Sequence, residues 1–405
     1  MLSNISENTP HSAANIHTIR SDEEAVDIVS RLADEFRREA SKRDRERLLP
    51  TQEIDMLTRE GFFGISVPRT YGGADVSATT IAHAFRMLGA ADPSIAQIPQ
   101  NHFTWLSVLT QGTESQRKFF FGRIMSGDRI GNAHSESTKN RPRQYTHTLT
   151  RVEGGWRMTG KKYYSTGAIF ARWIPFTDID ENGNSKMFFA DATAEGLEVI
   201  DDWEGMGQRT TASGTTVFNN VFVPDEYVFP FATAQEGAHS FLYYAQLIHT
   251  AIDVGIAEET LEDARHYIHA HNRPWLGNPF DEHAKEPFVI AEFGKLGLKV
   301  RTARSMLDRA AASIDAVRST PTAENIIAAR IAVADARVVS AEVAVEVSSD
   351  FFAITGAHAT LPEFGLDRHW RNARTHSLHD PIRWKYFHLG NYYLNDVIPD
   401  GRSYI

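Results

Sequence analysis

The run Arg374-Thr375-His376-Ser377-Leu378-His379-Asp380-Pro381 sets two imidazoles and a guanidinium close together. Imidazole is the side chain whose ordinary pKa lies nearest neutrality, so such a pair suits proton transfer or the binding of a polar ligand. Asp is a good N-cap and Pro is favoured at the first helical position. Asp380-Pro381 therefore predicts the start of a helix running through Trp384 and Tyr393. On that reading His376 and His379 lie in the loop before a helix N-terminus, where free N–H groups favour anionic or electron-rich ligands. A polar turn with solvated histidines is the alternative. No metal is expected here, because the pair precedes the N-cap and no third ligand is evident.

Composition narrows the partners. A chain of 405 residues, 42% hydrophobic, is long enough for several packed domains. Its net charge of −10 and the lack of a long basic run argue against nucleic acid or an anionic membrane, and suit a small neutral or aromatic ligand. There is no cysteine, which excludes disulfides, thiolate catalysis and cysteine-ligated metal centres, and fits a cytoplasmic protein. Residues 1–20 are polar, without an apolar h-region or cleavage-like site, and read as a flexible tail. No stretch approaches the length of a membrane span.

The elements that must position the histidines fall into three blocks. From 21 to 130 the pattern is helical, with Ser21-Asp22-Glu23-Glu24 as an N-terminal signal and Ala25, Ile28, Val29, Leu32 and Phe36 at helical spacing. From 131 to 232 β-type runs dominate, among them Trp156–Thr166 and Thr215–Val223, separated by turns such as Gly154-Gly155 and Asn182-Gly183. They predict a central antiparallel β-domain. From 233 to 405 the chain is helical again, with stretches at 237–271, 287–319, 322–348 and 382–396 that suit a four-helix bundle. The 322–348 stretch has too many apolar positions for one buried stripe, which predicts burial on more than one side. The fold class is α+β.

This helix–strand–helix layout resembles the acyl-CoA dehydrogenase fold, and local runs carry the resemblance. They are Ile65-Ser66-Val67-Pro68-Arg69-Thr70-Tyr71-Gly72-Gly73-Ala74, Gly160-Lys161-Lys162-Tyr163-Tyr164-Ser165-Thr166-Gly167 and Met206-Gly207-Gln208-Arg209. Many members carry a Glu base near the last helices, where this chain has Leu378-His379-Asp380-Pro381. The run Thr375 to Pro381 is instead similar to the flavin-dependent monooxygenase branch, the dibenzothiophene monooxygenase group in particular, as is Gly131-Asn132-Ala133-His134-Ser135-Glu136.

That resemblance implies a two-component enzyme. Reduced FMN from a separate NAD(P)H:flavin reductase would react with O₂ to give a C4a-hydroperoxide, which oxygenates an organosulfur compound or a similar aromatic heterocycle. It assigns His379 to proton handling, with His376 orienting it, binding substrate or only packing. Ser165, Asn132 and His102 complete the implied catalytic set, although His102 also reads as a satisfied helix histidine. Asn132, Ser135, Ser137, Tyr164, Ser165, Arg273, Ala357, His358 and His379 are the implied flavin contacts. Arg273 would reach the phosphate across an interface of a homotetramer, and His358 stands where relatives often have Arg. The rival readings on the same scaffold are an FAD-dependent acyl-CoA dehydrogenase or oxidase, disfavoured by the missing Glu, and an N- or C-hydroxylase of an amine or indole.

Overall fold

The computed structural model describes residues 16–136, 147–231, 241–272 and 274–399. Helices come first: α1 (Asp22–Arg37), α2 (Ala40–Glu46), α3 (Thr51–Arg59), α4 (Ala78–Ala91), α5 (Pro93–Leu109) and α6 (Glu114–Met125). Their starts are set locally. Ser21 accepts a hydrogen bond from the Glu24 N–H, and Thr113 and Gln116 form a reciprocal capping box. Asp92 caps α5 through the Ser94 N–H at 3.0 Å and pairs with Arg43 of α2 at 2.9 Å. Residues 1–15 of the expected tail lie outside the described residues. Residues 16–20 are no tail: Ile19 is buried, and the His17 N–H donates to the Arg59 carbonyl.

Seven strands follow among the described residues: β1 (Thr148–Val152), β2 (Gly155–Lys162), β3 (Trp173–Ile179), β4 (Ser185–Asp191), β5 (Leu197–Ile200), β6 (Thr215–Pro224) and β7 (Val228–Pro230). They form two antiparallel sheets, in the orders β1-β2-β6-β5 and β3-β4-β7. Trp156, Met158, Phe176, Phe188, Phe218 and Val221 pack into one apolar cluster of this region. β2 ends earlier than the run Trp156–Thr166 predicts. β2 stops at Lys162, and Tyr164 adopts a left-handed φ of 54° beyond it, so Ser165 lies past the strand and not at its end.

The last block holds α7 (Phe241–Ala270), α8 (Pro287–Ser319), α9 (Ala323–Asp350), α10 (Phe352–Thr355), α11 (Asp367–His376) and α12 (Ile382–Asn395). α7, α8 and α9 pack on one another, and α4 lies along α7. There Gly255 is required by close approach, since a Cβ would stand 2.4 Å from the Arg86 carbonyl oxygen. The first and last blocks consequently share one apolar core. The excess of apolar positions on α9 is met within the chain: Val333, Ala336 and Val343 face that core, while Ile331, Ala334 and Val338 meet Leu389 of α12. No helix among the described residues is long and apolar enough to cross a membrane.

Two local expectations near the histidines change. α11 has too few apolar residues to announce it, because its buried side chains are mostly polar: His369, Asn372 and His376. His376 is thus the last residue of a helix and not part of a loop. α12 begins at Ile382 without a side-chain cap, so Asp380 is not spent on capping.

Candidate active site

A cleft of about 680 Å³ opens where α5, α11, the loop after α11 and the loops flanking the β-strands converge. Gln97 and Asn101, four apart on α5, face it together. Asn132, Ser135 and Glu136 enter from the segment before β1, and Tyr164 and Thr166 from the turn after β2. Trp203, Met206 and Gln208 form the opposite wall with Thr375, His376, Leu378 and His379. That wall is pinned to α11. The Gly207 N–H donates to Thr375 Oγ1 at 3.1 Å and the Gln208 N–H to Asn372 Oδ1 at 2.7 Å, and a Cβ on Gly207 would lie 1.9 Å from the Arg371 carbonyl oxygen.

Behind the cleft lies a buried polar network. His376 Nδ1 is 2.6 Å from Asp253 Oδ1, and the other oxygen of Asp253 accepts from Arg337. His376 Nε2 is 3.0 Å from Nδ1 of His249 and 3.2 Å from Gln97 Oε1. The His249 ring stands 4.0 Å, centroid to centroid, from that of His379. Asp380 lies 3.5 Å from both Arg337 and His379 Nδ1, and 2.7 Å from Lys385 Nζ.

Two aspartates thus balance one arginine and one lysine. Burial disfavours the Asp380 carboxylate, but nearby His379 with the Arg337 and Lys385 charges outweighs it and holds the group well below the usual carboxylate range. Burial pushes His376 down against the pull of Asp253. It pushes His249 down further, aided by the neighbouring charges of His379, His376 and Arg337. Both imidazoles are neutral at pH 7 on that basis, with His379 half-exposed at the cleft.

Several polar atoms at the cleft lack a protein partner. Asn132 Oδ1 and both amide atoms of Gln208 are buried without a hydrogen bond, as is Ser165 Oγ, between the cleft residues Tyr164 and Thr166. Unmet buried groups of this kind cost free energy that a bound ligand recovers. A second cavity of about 340 Å³, lined by Phe103, Tyr244 and Arg318, differs: Arg318 is committed to Asp75 and the Val76 carbonyl.

Residues 21–128 match the acyl-CoA dehydrogenase N-terminal domain, and residues 247–384 match the acyl-CoA dehydrogenase C-terminal domain. The chain belongs to the acyl-CoA dehydrogenase family. Within it, the chain stands with the flavin-dependent monooxygenases. It is 29% identical to the dibenzothiophene monooxygenase of Rhodococcus erythropolis over 396 residues, covering 93% of this chain and 95% of that one. TdsC from Paenibacillus sp. A11-2, in complex with FMN and indole, superposes with a TM-score of 0.89 at 27% identity, covering 95% of this chain and 100% of that one. The methanesulfinate monooxygenase MsuC of Pseudomonas fluorescens gives a TM-score of 0.86 at 28% identity, covering 94% and 99%.

In this acyl-CoA dehydrogenase family member, the cleft gathers His379, His376, Asn132, Ser135 and Tyr164, with Ser165 buried beside them. His102 is not among them. It follows Asn101 by about 100° around α5 and is fully buried, with Nε2 2.8 Å from the Phe63 carbonyl and Nδ1 accepting the Ile130 N–H at 3.1 Å. Burial lowers its pKa to about 4, so it is a neutral structural bridge and not a substrate-side group. Ala357 and His358 form a short 3-10 turn apart from the cleft lining, where His358 Nδ1 meets the Tyr267 hydroxyl at 2.7 Å. Ser137 and Arg273 lie outside the described residues.

Sequence reasoning missed His249, Asp253 and Arg337. A signal existed: His249 and Asp253 sit four apart in the apolar run Leu247–Val254, which puts both on one face of a buried helix. It also missed Gln97, Trp203 and Gln208 as cleft residues.

Proposed function

We propose that this protein is a two-component flavin-dependent monooxygenase that oxygenates an organosulfur compound or a similar aromatic heterocycle. It uses reduced FMN from a separate NAD(P)H:flavin reductase and O₂ as cosubstrate. One observation carries this over a dehydrogenase: among the described residues lining the cleft, the single carboxylate is Glu136, and it is already bound to Lys162 and, at 2.8 Å, to His147. Asp380 is likewise held as an ion-paired anion. Among the described residues no free carboxylate base lines the cleft, whereas an imidazole does.

The donor set fits a flavin. The unmet Asn132, Ser165 and Gln208 atoms offer both donors and acceptors to a polar heterocyclic ring. When bound, reduced flavin supplies the electrons that activate O₂. The chain's own residues do the rest. Tyr164, Trp203, Met206 and Leu378 supply apolar surface that holds an aromatic substrate and keeps water out. Asp380, 3.5 Å from His379 Nδ1, sets a negative charge beside that imidazole, which gives or takes a proton at the cleft.

Arg273 is proposed to bind the flavin phosphate, with Ser137, Ala357 and His358 as further cofactor contacts in a homotetramer. Large exposed apolar side chains on α12, including Trp384, Phe387 and Leu394, support a subunit interface. A cytoplasmic location fits a reductase that draws on NAD(P)H.

The test is incubation with reduced FMN, O₂ and a panel of organosulfur compounds and indoles, followed by mass spectrometry. A product heavier by one oxygen atom is expected from a sulfur compound. Anaerobic bleaching of bound flavin by an acyl-CoA, with no oxygenated product, would overturn the reading.

A further inference from the structure

His249 is fully buried, yet one of its nitrogens, Nε2, has no hydrogen-bond partner. Its tautomer follows from its neighbours. His376 Nδ1 faces the Asp253 carboxylate at 2.6 Å, and a bare nitrogen there would set lone pair against lone pair, so His376 carries its proton on Nδ1. A neutral His376 then has a bare Nε2. At 3.0 Å from that atom, His249 Nδ1 must bear a hydrogen and donate it. The Gln97 amide, 3.2 Å from the same Nε2, must turn its NH₂ group toward it. His249 Nε2 is therefore the bare nitrogen.

We propose that His249 is a positioning residue: as an Nδ1–H donor it locks His376 into the role of a neutral acceptor, leaving His379 as the one imidazole of the three that exchanges protons with the cleft. The lone pair of His376 is committed, so it cannot serve as a base. The His249 ring, 4.0 Å from that of His379, also backs the latter against the cleft. The charged and titratable groups facing this trio are Asp253 from α7, Arg337 from α9, Asp380 from the loop and Lys385 from α12, and their formal charges cancel. A second proton in the buried pair would be uncompensated, in line with the downward push that burial exerts on both imidazoles.

The tautomer part stands without any reaction; the role given to His379 rests on the monooxygenase reading. ¹⁵N-histidine NMR of the full chain without flavin tests the first. Both His249 and His376 should show a protonated Nδ1 and a bare Nε2, and both should stay neutral as the pH falls through the ordinary histidine range. A protonated Nε2 on His249 overturns the proposal.

Two variants test the second. His249→Ala should lower product formation about 10²-fold, the lower end of what a positioned proton-transfer group contributes, while the dissociation constant for reduced FMN stays within about threefold. His249→Asn keeps a donor near the place of Nδ1 and should recover most of the loss. An Ala variant with the wild-type rate and pH profile, or a folded Asn variant no better than Ala, overturns the positioning role. If the wild type oxygenates nothing, the functional reading fails and the NMR result alone decides the tautomer assignment.

Discussion

The carboxylate of Asp253 holds Nδ1 of His376 at 2.6 Å, with both side chains buried. The same carboxylate neutralises Arg337, which is equally inaccessible. One group therefore sets a tautomer and satisfies a buried cation.

Asp253→Asn removes the charge and keeps the shape. It should destabilise the fold by about 3–5 kcal/mol, because the Arg337 guanidinium is left in a dry site without its nearest anion. Urea unfolding of the variant beside the wild type measures this. A loss below about 1 kcal/mol would show that the remaining contact with Asp380 suffices.

His379→Ala leaves the buried network of His249, His376 and Asp253 intact, since its contact with His249 is through the rings alone. Oxygenation should fall at least about 10²-fold while reduced FMN still binds. Stopped-flow product yield and a flavin titration separate the two, and near-normal product formation would remove His379 from proton handling.

Ser165 Oγ is buried with no partner in the unliganded chain. Ser165→Ala should leave the thermal midpoint unchanged or raise it, because an unsatisfied hydroxyl is removed. Flavin binding should weaken by about 1 kcal/mol, roughly fivefold in the dissociation constant. A lower midpoint with unchanged affinity would assign the hydroxyl a structural role.

Acid should destabilise this protein in a defined window. Burial lowers His102 and His134 to about 4 and depresses His249 and His376 as well. Their folded pKa values lie below the unfolded value of about 6.5, so the unfolded chain takes up protons first. The stability they confer is fully present above about pH 6.5 and declines as pH falls toward 4, by about 1.4 kcal/mol per pH unit for each group. Asp92 and Glu259, raised chiefly by burial, offset part of the loss, whereas Asp263 and Asp380 add theirs only below the carboxylate range. Urea midpoints should be level from about pH 8 to about pH 6.5 and fall from there to about pH 5, and a profile flat throughout would contradict the buried neutral state.

Much of this protein is legible in the sequence alone. Helix and strand periods expose the three blocks, because apolar repeats of 3.6 and 2 reflect burial on one face. The run Thr375 to Pro381 marks the site, because its side chains are chemically distinctive wherever they fold. Tertiary structure decided the rest. α11 buries mostly polar side chains and has few apolar residues, so the sequence reads His376 as a loop residue although it ends a helix. His102 and Asn101 are adjacent in the chain, yet α5 turns one to the Phe63 carbonyl and the other to the cleft. Asp253 and His376 lie 123 positions apart, and Asp253 and Arg337 are separated by 84. Charge compensation between such distant groups has no local signature, since it arises when packing removes them from water together.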